Sequence, residues 1–139
     1  MNNFTVIEII KKSDKETQAI YPMNDIIAAK SKMHNDFGAS VKDETVLECF
    51  CLIIDNDTGA KIDKKYYGEN EDGSSIRPRV YTHNDFSDDN IAPYDSERLA
   101  IGNYNTKIAS AYSNPECKFA LTIRLDSTGD YADFDLFIR

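Results

Sequence analysis

The 139-residue sequence is long enough for one compact domain with a buried core, so neither a disulfide nor a metal ion is required for folding. Hydrophobic residues form 41% of the chain and charged residues 29%, a composition that argues against global disorder. The formal charge of −8 disfavours non-specific binding to the phosphate backbone of nucleic acids, which requires clustered cations.

The first predicted elements form a β-hairpin. Phe4–Lys12 alternates between apolar and polar residues as a strand does, and Thr17–Tyr21 can return beside it across residues 13–16. The N-terminal stretch has no basic region followed by a sustained apolar run. No apolar segment approaches the roughly 20 residues that cross a bilayer, so we expect a cytoplasmic protein without membrane contact.

A helix and a buried strand follow this hairpin. Asn24 or Asp25 can cap the helix, its apolar stripe runs to Phe37, and Gly38 is the predicted stop. The next run, 46–54, is apolar on both faces, which predicts a central strand that is covered on both sides. Only two helices are predicted to cover it, and we therefore expect the chain to self-associate as a homo-oligomer.

The three cysteines are interpreted as buried thiols. Cys49 and Cys51 lie within the apolar strand and Cys117 stands alone in the second half. The only histidines are His34 and His83, and no Cys-x-x-Cys spacing occurs. We therefore expect no metal site, and the absence of a glycine-rich phosphate loop leads us to expect no cofactor.

The second half starts after a polar, glycine-containing loop at 68–75. The strand 76–83 is predicted at a sheet edge because it contains Pro78. An acidic loop, 85–95, leads to a helix capped by Asp95 or Ser96 that ends before Pro115. Residues 117–125 and 130–138 then form a hairpin. In its first strand Phe119, Leu121, Ile123 and Leu125 are predicted to face the core, and Thr122 and Arg124 to face water.

Two similar stretches, "IIDNDTGAKI" (53–62) and "IRLDSTGDYA" (123–132), raise the question of a repeated active site. Each lies where a hairpin must reverse, and Gly59 and Gly129 can supply the positive φ that such turns require. An aspartic protease needs far larger lobes around its two carboxylates. A calcium loop counted from Asp55 would place Tyr66 where a bidentate Glu belongs. The pattern therefore indicates two equivalent turns.

The turns belong to a longer internal repeat. Residues 24–67 and 95–138 each read as helix, strand, turn and strand, and the apolar positions of the two helices match. We predict an α+β fold that is a single domain of residues 1–139, made of two related halves, each with one helix packed on antiparallel strands.

The first half resembles a group of small phage proteins. The segments "FTVIEI", "AIYPMNDIIAAKSKMHNDFGASVK" and "CFCLIIDNDTGAKIDKKYYG" are similar to those of proteins of unassigned function encoded by bacteriophages of gut Firmicutes. The resemblance implies a phage accessory protein that acts on host machinery, and it supplies no catalytic residue. His34 is the position that it marks, and we interpret this residue as a packing or surface residue.

Two stretches of the second half are candidate binding sites. "DFSDDNIAPYDSE" places five carboxylates close together, which could imitate a phosphate backbone or could be an ordinary solvated loop: Asp85, Asp88, Asp89, Asp95 and Glu97. "RPRVYTH" places four side chains on one side of an extended strand, which could hold a phosphate-bearing ligand such as a nucleotide, or could protect a sheet edge: Arg77, Arg79, Tyr81 and His83.

The sequence contains no local pattern typical of an enzyme. It has no nucleophile elbow and no His-x-x-x-His pair. We therefore predict a non-enzymatic accessory or anti-defence protein that binds and inhibits a host protein or nucleoprotein, such as a nucleic-acid-guided defence complex. The alternative is a module that binds or sequesters a small ligand.

Overall fold

The computed structural model describes residues 2–68 and 77–139, without the side chains of Ser87 and Asp88. The predicted loop 68–75 lies outside the described residues apart from Gly68, and so does Ile76. The described residues form two helices and eight strands in chain order: β1 Phe4–Lys12, β2 Glu16–Met23, α1 Ile26–Lys42, β3 Val46–Asp55, β4 Lys61–Gly68, β5 Arg79–Asn84, β6 Ser87–Pro93, α2 Glu97–Ser113, β7 Phe119–Leu125 and β8 Tyr131–Ile138.

The two halves have the same topology, and the predicted α+β class is confirmed. The strands form two antiparallel sheets of order β2-β1-β3-β4 and β6-β5-β7-β8. Helix α1 packs on β1 and β3, helix α2 packs on β5 and β7, and the helices pack against each other. Each half also contains the hairpin that precedes its helix, so the structural repeat is longer than the predicted units 24–67 and 95–138.

The repeat brings equivalent positions into contact. His34 and Asn105 are each the ninth residue of a 17-residue helix, and they hydrogen-bond to each other. Lys65 and Asp135 are each the fifth residue of an edge strand, and they form a salt bridge. Contacts between equivalent positions are those that a twofold axis produces, so the halves are related by an approximate twofold axis that passes between these pairs.

The predicted helix caps hold, but the predicted stop at Gly38 is wrong. Asp25 accepts a hydrogen bond from the Ala28 amide and Ser96 accepts one from the Leu99 amide, as N-cap residues do. Helix α1 continues to Lys42. A Cβ atom on Gly38 would lie 2.7 Å from the carbonyl oxygen of Gly102, so this glycine permits close helix packing and does not end a helix.

The structure corrects two further predictions in the second half. The prediction of an acidic loop at 85–95 is wrong, because residues Ser87–Pro93 form strand β6. This strand pairs with β5, so β5 is an inner strand and not the predicted edge. Pro78 lies just before β5, where its missing N–H removes no bond of the sheet.

The faces of β7 are the reverse of the prediction. Ala120 and Thr122 are buried against α2, and the alternate residues from Phe119 to Leu125 lie on the outer face and are only half-buried. The inner face therefore carries Thr122 and Arg124, whereas the equivalent strand β3 carries Cys51 and Ile53. Apolar residues also lie on the outer side of the first sheet, including Ile20.

Candidate functional site

The residues of the predicted ligand strip lie on and beside β5. Arg79, Tyr81 and His83 alternate with the buried Val80 and the half-buried Thr82, so they share the outer face of the second sheet. Arg77 lies before the strand and pairs with Asp95 at 2.7 Å. Three of the four predicted residues are therefore on one face, and the fourth is held beside it.

The five predicted carboxylates are dispersed instead of forming one surface. Asp85 accepts a hydrogen bond from the Lys118 amide at 2.9 Å, and this bond holds the pKa of the carboxyl below its usual value. Glu97 accepts hydrogen bonds from Arg124 and from the Ser127 amide. Asp89 and Asp95 are exposed, and the side chain of Asp88 lies outside the described part of the chain.

The two predicted sites are partners of each other. Asp89 Oδ1 lies 2.7 Å from His83 Nδ1, and Asp95 pairs with Arg77. A hydrogen bond with Asp89 also raises the pKa of Tyr81. The hairpin of β5 and β6 brings these residues together, and this hairpin was absent from the prediction.

The strip lies within an apolar surface that crosses all four strands. One cross-strand row consists of Ile91, Tyr81, Ile123 and Phe134, and the next contains His83, Leu121 and Leu136. The His83 ring meets the Phe119 ring edge-on with centroids 5.5 Å apart. We call this surface the second-sheet outer face and define it by its members: Tyr81, His83, Ile91, Phe119, Leu121, Ile123, Phe134, Leu136 and Ile138.

The edge strand β8 exposes the most apolar area. Phe134, Leu136 and Ile138 are 53%, 48% and 69% exposed. Sequence reasoning missed these residues because it assigned faces only to the first strand of the last hairpin and left those of 130–138 open. The strict alternation of Asp133 and Asp135 with Phe134 and Leu136 was the available signal, but it does not reveal which set faces inward.

A polar cleft separates the two edge strands β4 and β8. Its volume is about 320 Å³, and Phe37, Ile101 and Asn105 line its helical side. Lys65 Nζ lies 2.8 Å from Asp133 Oδ2 and 3.1 Å from Asp135 Oδ2. Burial alone would lower the pKa of Lys65, but the two carboxylates raise it, so the cleft holds a firmly charged lysine.

His34 is fully buried and contacts two residues that line this cleft. Its Nδ1 atom lies 2.9 Å from Asn105 Oδ1, and its Nε2 atom lies 3.7 Å from Asp135 Oδ1. Ligand atoms of His34, Asp63 and Asp135 all lie within 4.8 Å of one another. We call His34, Asp63, Lys65, Asp133 and Asp135 the junction cluster, because these residues come from both halves.

The chain matches no model of a protein family, no curated protein and no solved structure. Within residues 2–68 and 77–139, neither helix has the length and apolar character that crossing a bilayer demands. The second-sheet outer face and the junction cluster are therefore the features from which a function can be inferred.

Proposed function

We propose that this chain is a non-enzymatic protein-binding module that attaches to and blocks a partner through the second-sheet outer face. The observation that carries the proposal is the row of exposed apolar side chains on β8, continued across the sheet by Ile123, Tyr81 and Ile91. Monomeric proteins rarely expose contiguous apolar surfaces unless these contact another molecule. Aromatic side chains, which this face also offers, and Arg side chains such as the adjacent Arg79 are among those that contribute most to protein interfaces.

The charge of the second half favours a basic partner. Residues 68–139 carry seven Lys and Arg against thirteen acidic residues, and Asp89 and Asp95 are exposed beside the outer face. Two copies of a chain with formal charge −8 repel each other, whereas a basic protein is attracted. The resemblance of the first half to phage accessory proteins makes a host protein or nucleoprotein the expected class of partner.

The small-ligand alternative draws on the same face. Arg79, Tyr81 and His83 offer a guanidinium, a phenol and an imidazole to a nucleotide. However, Asp89 engages His83 and Asp95 engages Arg77, so these neighbours compete with a phosphate group for the cations. Apolar side chains surround the strip, which suits a protein surface better than a phosphate.

The test compares two double variants in capture experiments with bacterial extract. Phe134→Ser with Leu136→Ser removes the centre of the exposed β8 surface. Ile20→Ser with Tyr66→Ser is the matched control, since it removes two residues of similar exposure from the first half. We expect wild type and control to retain the same proteins, and the β8 variant to lose them at unchanged circular dichroism.

The captured protein is then purified and titrated into each variant by calorimetry. We expect a complex that weakens strongly as NaCl rises from about 50 to 500 mM, because charge complementarity contributes to binding. Equal affinity for both double variants would overturn the proposal. Self-association of wild type that the β8 variant abolishes would identify a second copy as the occupant and would also overturn it.

A further inference from the structure

The orientation of the His34 ring is fixed by its neighbour from the other half. Asn105 Nδ2 donates a hydrogen bond to the Ile101 carbonyl at 2.9 Å, so Asn105 Oδ1 is an acceptor. His34 Nδ1 lies 2.9 Å from that oxygen and must therefore carry the proton. With its proton on Nδ1, the uncharged ring bears a lone pair on Nε2, and burial disfavours the charged form and lowers the pKa of His34.

This lone pair points towards another acceptor. Asp135 Oδ1 is 3.7 Å from Nε2, and no described protein group donates to this fully buried nitrogen. A neutral imidazole nitrogen and a carboxylate oxygen that face each other without a donor repel electrostatically. A positive ion between the two atoms would turn this repulsion into attraction.

Two carboxylates have oxygens available at the same place. Asp135 Oδ2 accepts a hydrogen bond from the Tyr104 hydroxyl at 2.5 Å and one from Lys65 at 3.1 Å, which leaves Oδ1 towards His34. The second carboxylate is that of Asp63. Its Oδ2 atom accepts a hydrogen bond from Lys30 at 2.7 Å and its Oδ1 atom accepts one from the Lys64 amide at 2.8 Å, and each oxygen has a further lone pair that can bind an ion. Lys30 and Lys65 thus each bind an Oδ2 atom, and neither forms a hydrogen bond with His34 Nε2.

We propose that His34 Nε2 and the carboxylates of Asp63 and Asp135 form a binding site for a divalent transition-metal cation such as Zn²⁺. One imidazole with two carboxylates is a ligand set that Zn²⁺ and Mn²⁺ accept in proteins. The Nδ1 hydrogen bond to Asn105 supplies the outer partner that metal-bound histidines require. Asp63 and Asp135 also line the cleft between β4 and β8, which gives the ion an entry path.

The three ligands come from α1, β4 and β8, so the ion would join the two halves. Three protein ligands leave a coordination position open for water or for a group entering the cleft. The proposed metal site shares no residue with the second-sheet outer face. Each proposal can therefore fail without affecting the test of the other.

Zinc binding to the whole chain provides the test. The protein is treated with a chelator, kept reduced and titrated with Zn²⁺ by calorimetry, and its melting temperature is recorded. We expect one equivalent of Zn²⁺ to bind and to raise the melting temperature, because binding to the native state stabilises it. Asp63→Asn, Asp135→Asn and His34→Gln should each weaken zinc binding at least tenfold.

Asp133→Asn is the matched control, because it removes a carboxylate of the junction cluster that pairs with Lys65 and is not a proposed ligand. We expect this variant to bind Zn²⁺ within threefold of wild type. If His34→Gln does not fold, the two carboxylate variants decide the result. Absence of zinc binding by wild type at 1 mM, or unchanged affinity in Asp63→Asn and Asp135→Asn, would overturn the proposal.

Discussion

The two halves share one topology but line it with opposite chemistry. Two residues before the turn aspartate, the first half has Ile53 and the second has Arg124; four residues before it, the pair is Cys51 and Thr122. Ile53 is fully buried, and Arg124 is paired with Glu97 beneath α2. The comparison teaches that strand pairing and turns determine this topology, whereas the inner face can be apolar or ionic if its charges are paired.

The largest difference in unfolding free energy is expected when the residues of the equivalent pair, Ile53 and Arg124, are each replaced by the other type. Ile53→Arg buries an unpaired charge, and we expect it to cost about 4 kcal/mol or more of unfolding free energy. Arg124→Ile leaves Glu97 only its bond to the Ser127 amide, and we expect a smaller cost of about 2 kcal/mol because this carboxylate keeps one hydrogen-bond donor. Urea denaturation measures both, with Ile53→Val as the size control. Equal losses would show that the halves do not differ in tolerance.

Removal of the central lysine of the junction cluster should have the next largest effect. Lys65→Met leaves the carboxylates of Asp133 and Asp135 without their shared cation, at an expected cost of about 3 kcal/mol. The matched control is Lys12→Met, whose pair with Asp43 is solvent-exposed and should contribute about 0.5 kcal/mol or less. Chemical denaturation measures the unfolding free energy of both variants. Similar, small losses of stability in the two would contradict the view that Lys65 holds the two halves together.

Glu8 gives the first half a pH dependence that the second half lacks, because the equivalent position is Thr82. Burial raises the pKa of Glu8 from 4.5 to about 8, and Asp36 acts in the same direction, with Lys32 opposing and Cys49 adding to the rise. The folded state thus holds a proton that the unfolded state releases above pH 4.5. Stability from this group is full below pH 4.5 and is lost as pH rises to about 8.

The corresponding variant is Glu8→Gln, which imitates the protonated acid. We expect wild type to lose about 2–3 kcal/mol relative to this variant between pH 5 and pH 8. Denaturation curves at pH 5, 6, 7 and 8 give the difference in unfolding free energy between wild type and Glu8→Gln. Other titrating groups, such as His34, are present in both proteins, so their contributions cancel in this difference. A difference independent of pH would mean that Glu8 is ionised in the folded protein.

The smallest effect is expected on the two outer faces. Phe134→Ala and Ile20→Ala remove side chains that are 53% and 67% exposed, so each should cost about 1 kcal/mol or less. Thermal unfolding in phosphate buffer is sufficient to compare them. A loss of 3 kcal/mol for Phe134→Ala alone would assign that residue to the folding core and would remove it from the proposed binding surface.

Local signals in the sequence were enough for much of the fold. The first hairpin, both N-caps and the two glycine turns were predicted from alternation, capping residues and turn chemistry. Strand β3 is the predicted inner strand, but the prediction that both of its faces are covered is wrong, because α1 packs on one face and Phe50 and Ile54 on the other are only half-buried. Gly59 and Gly129 do have positive φ values of 74° and 87°. These features depend on residues close in the chain, and the sequence displays such residues directly.

The errors arose where distant partners decide the outcome. Gly38 meets Gly102 across the helix packing, and no local pattern distinguishes such a glycine from a helix stop. Strand β6 is rich in Asp and Asn, which are rare in strands, and pairing with β5 overrides that preference. Asp133 and Asp135 face inward, where Lys65 of the other half pairs with both and the Tyr104 hydroxyl donates a hydrogen bond to Asp135.

For the candidate sites too, local patterns in the sequence predict residues that lie on one strand but not residues brought together from distant elements. Arg79, Tyr81 and His83 share a face because a strand alternates, which the sequence shows. The ligand atoms of His34, Asp63 and Asp135 meet through three elements from two halves, and no spacing announces such a set.

The approximate twofold axis restricts which substitutions the paired positions on it can accept. At the axis, Lys65 meets Asp135 and His34 meets Asn105, so two copies of either half would place Lys65 against lysine or Asp135 against aspartate. A substitution at one of these positions is therefore expected to cost stability unless its counterpart about 70 residues away changes in a complementary way. A chain made of two copies of one half would keep every turn and strand pairing, but like charges at the axis would repel and destabilise the contact between the two halves.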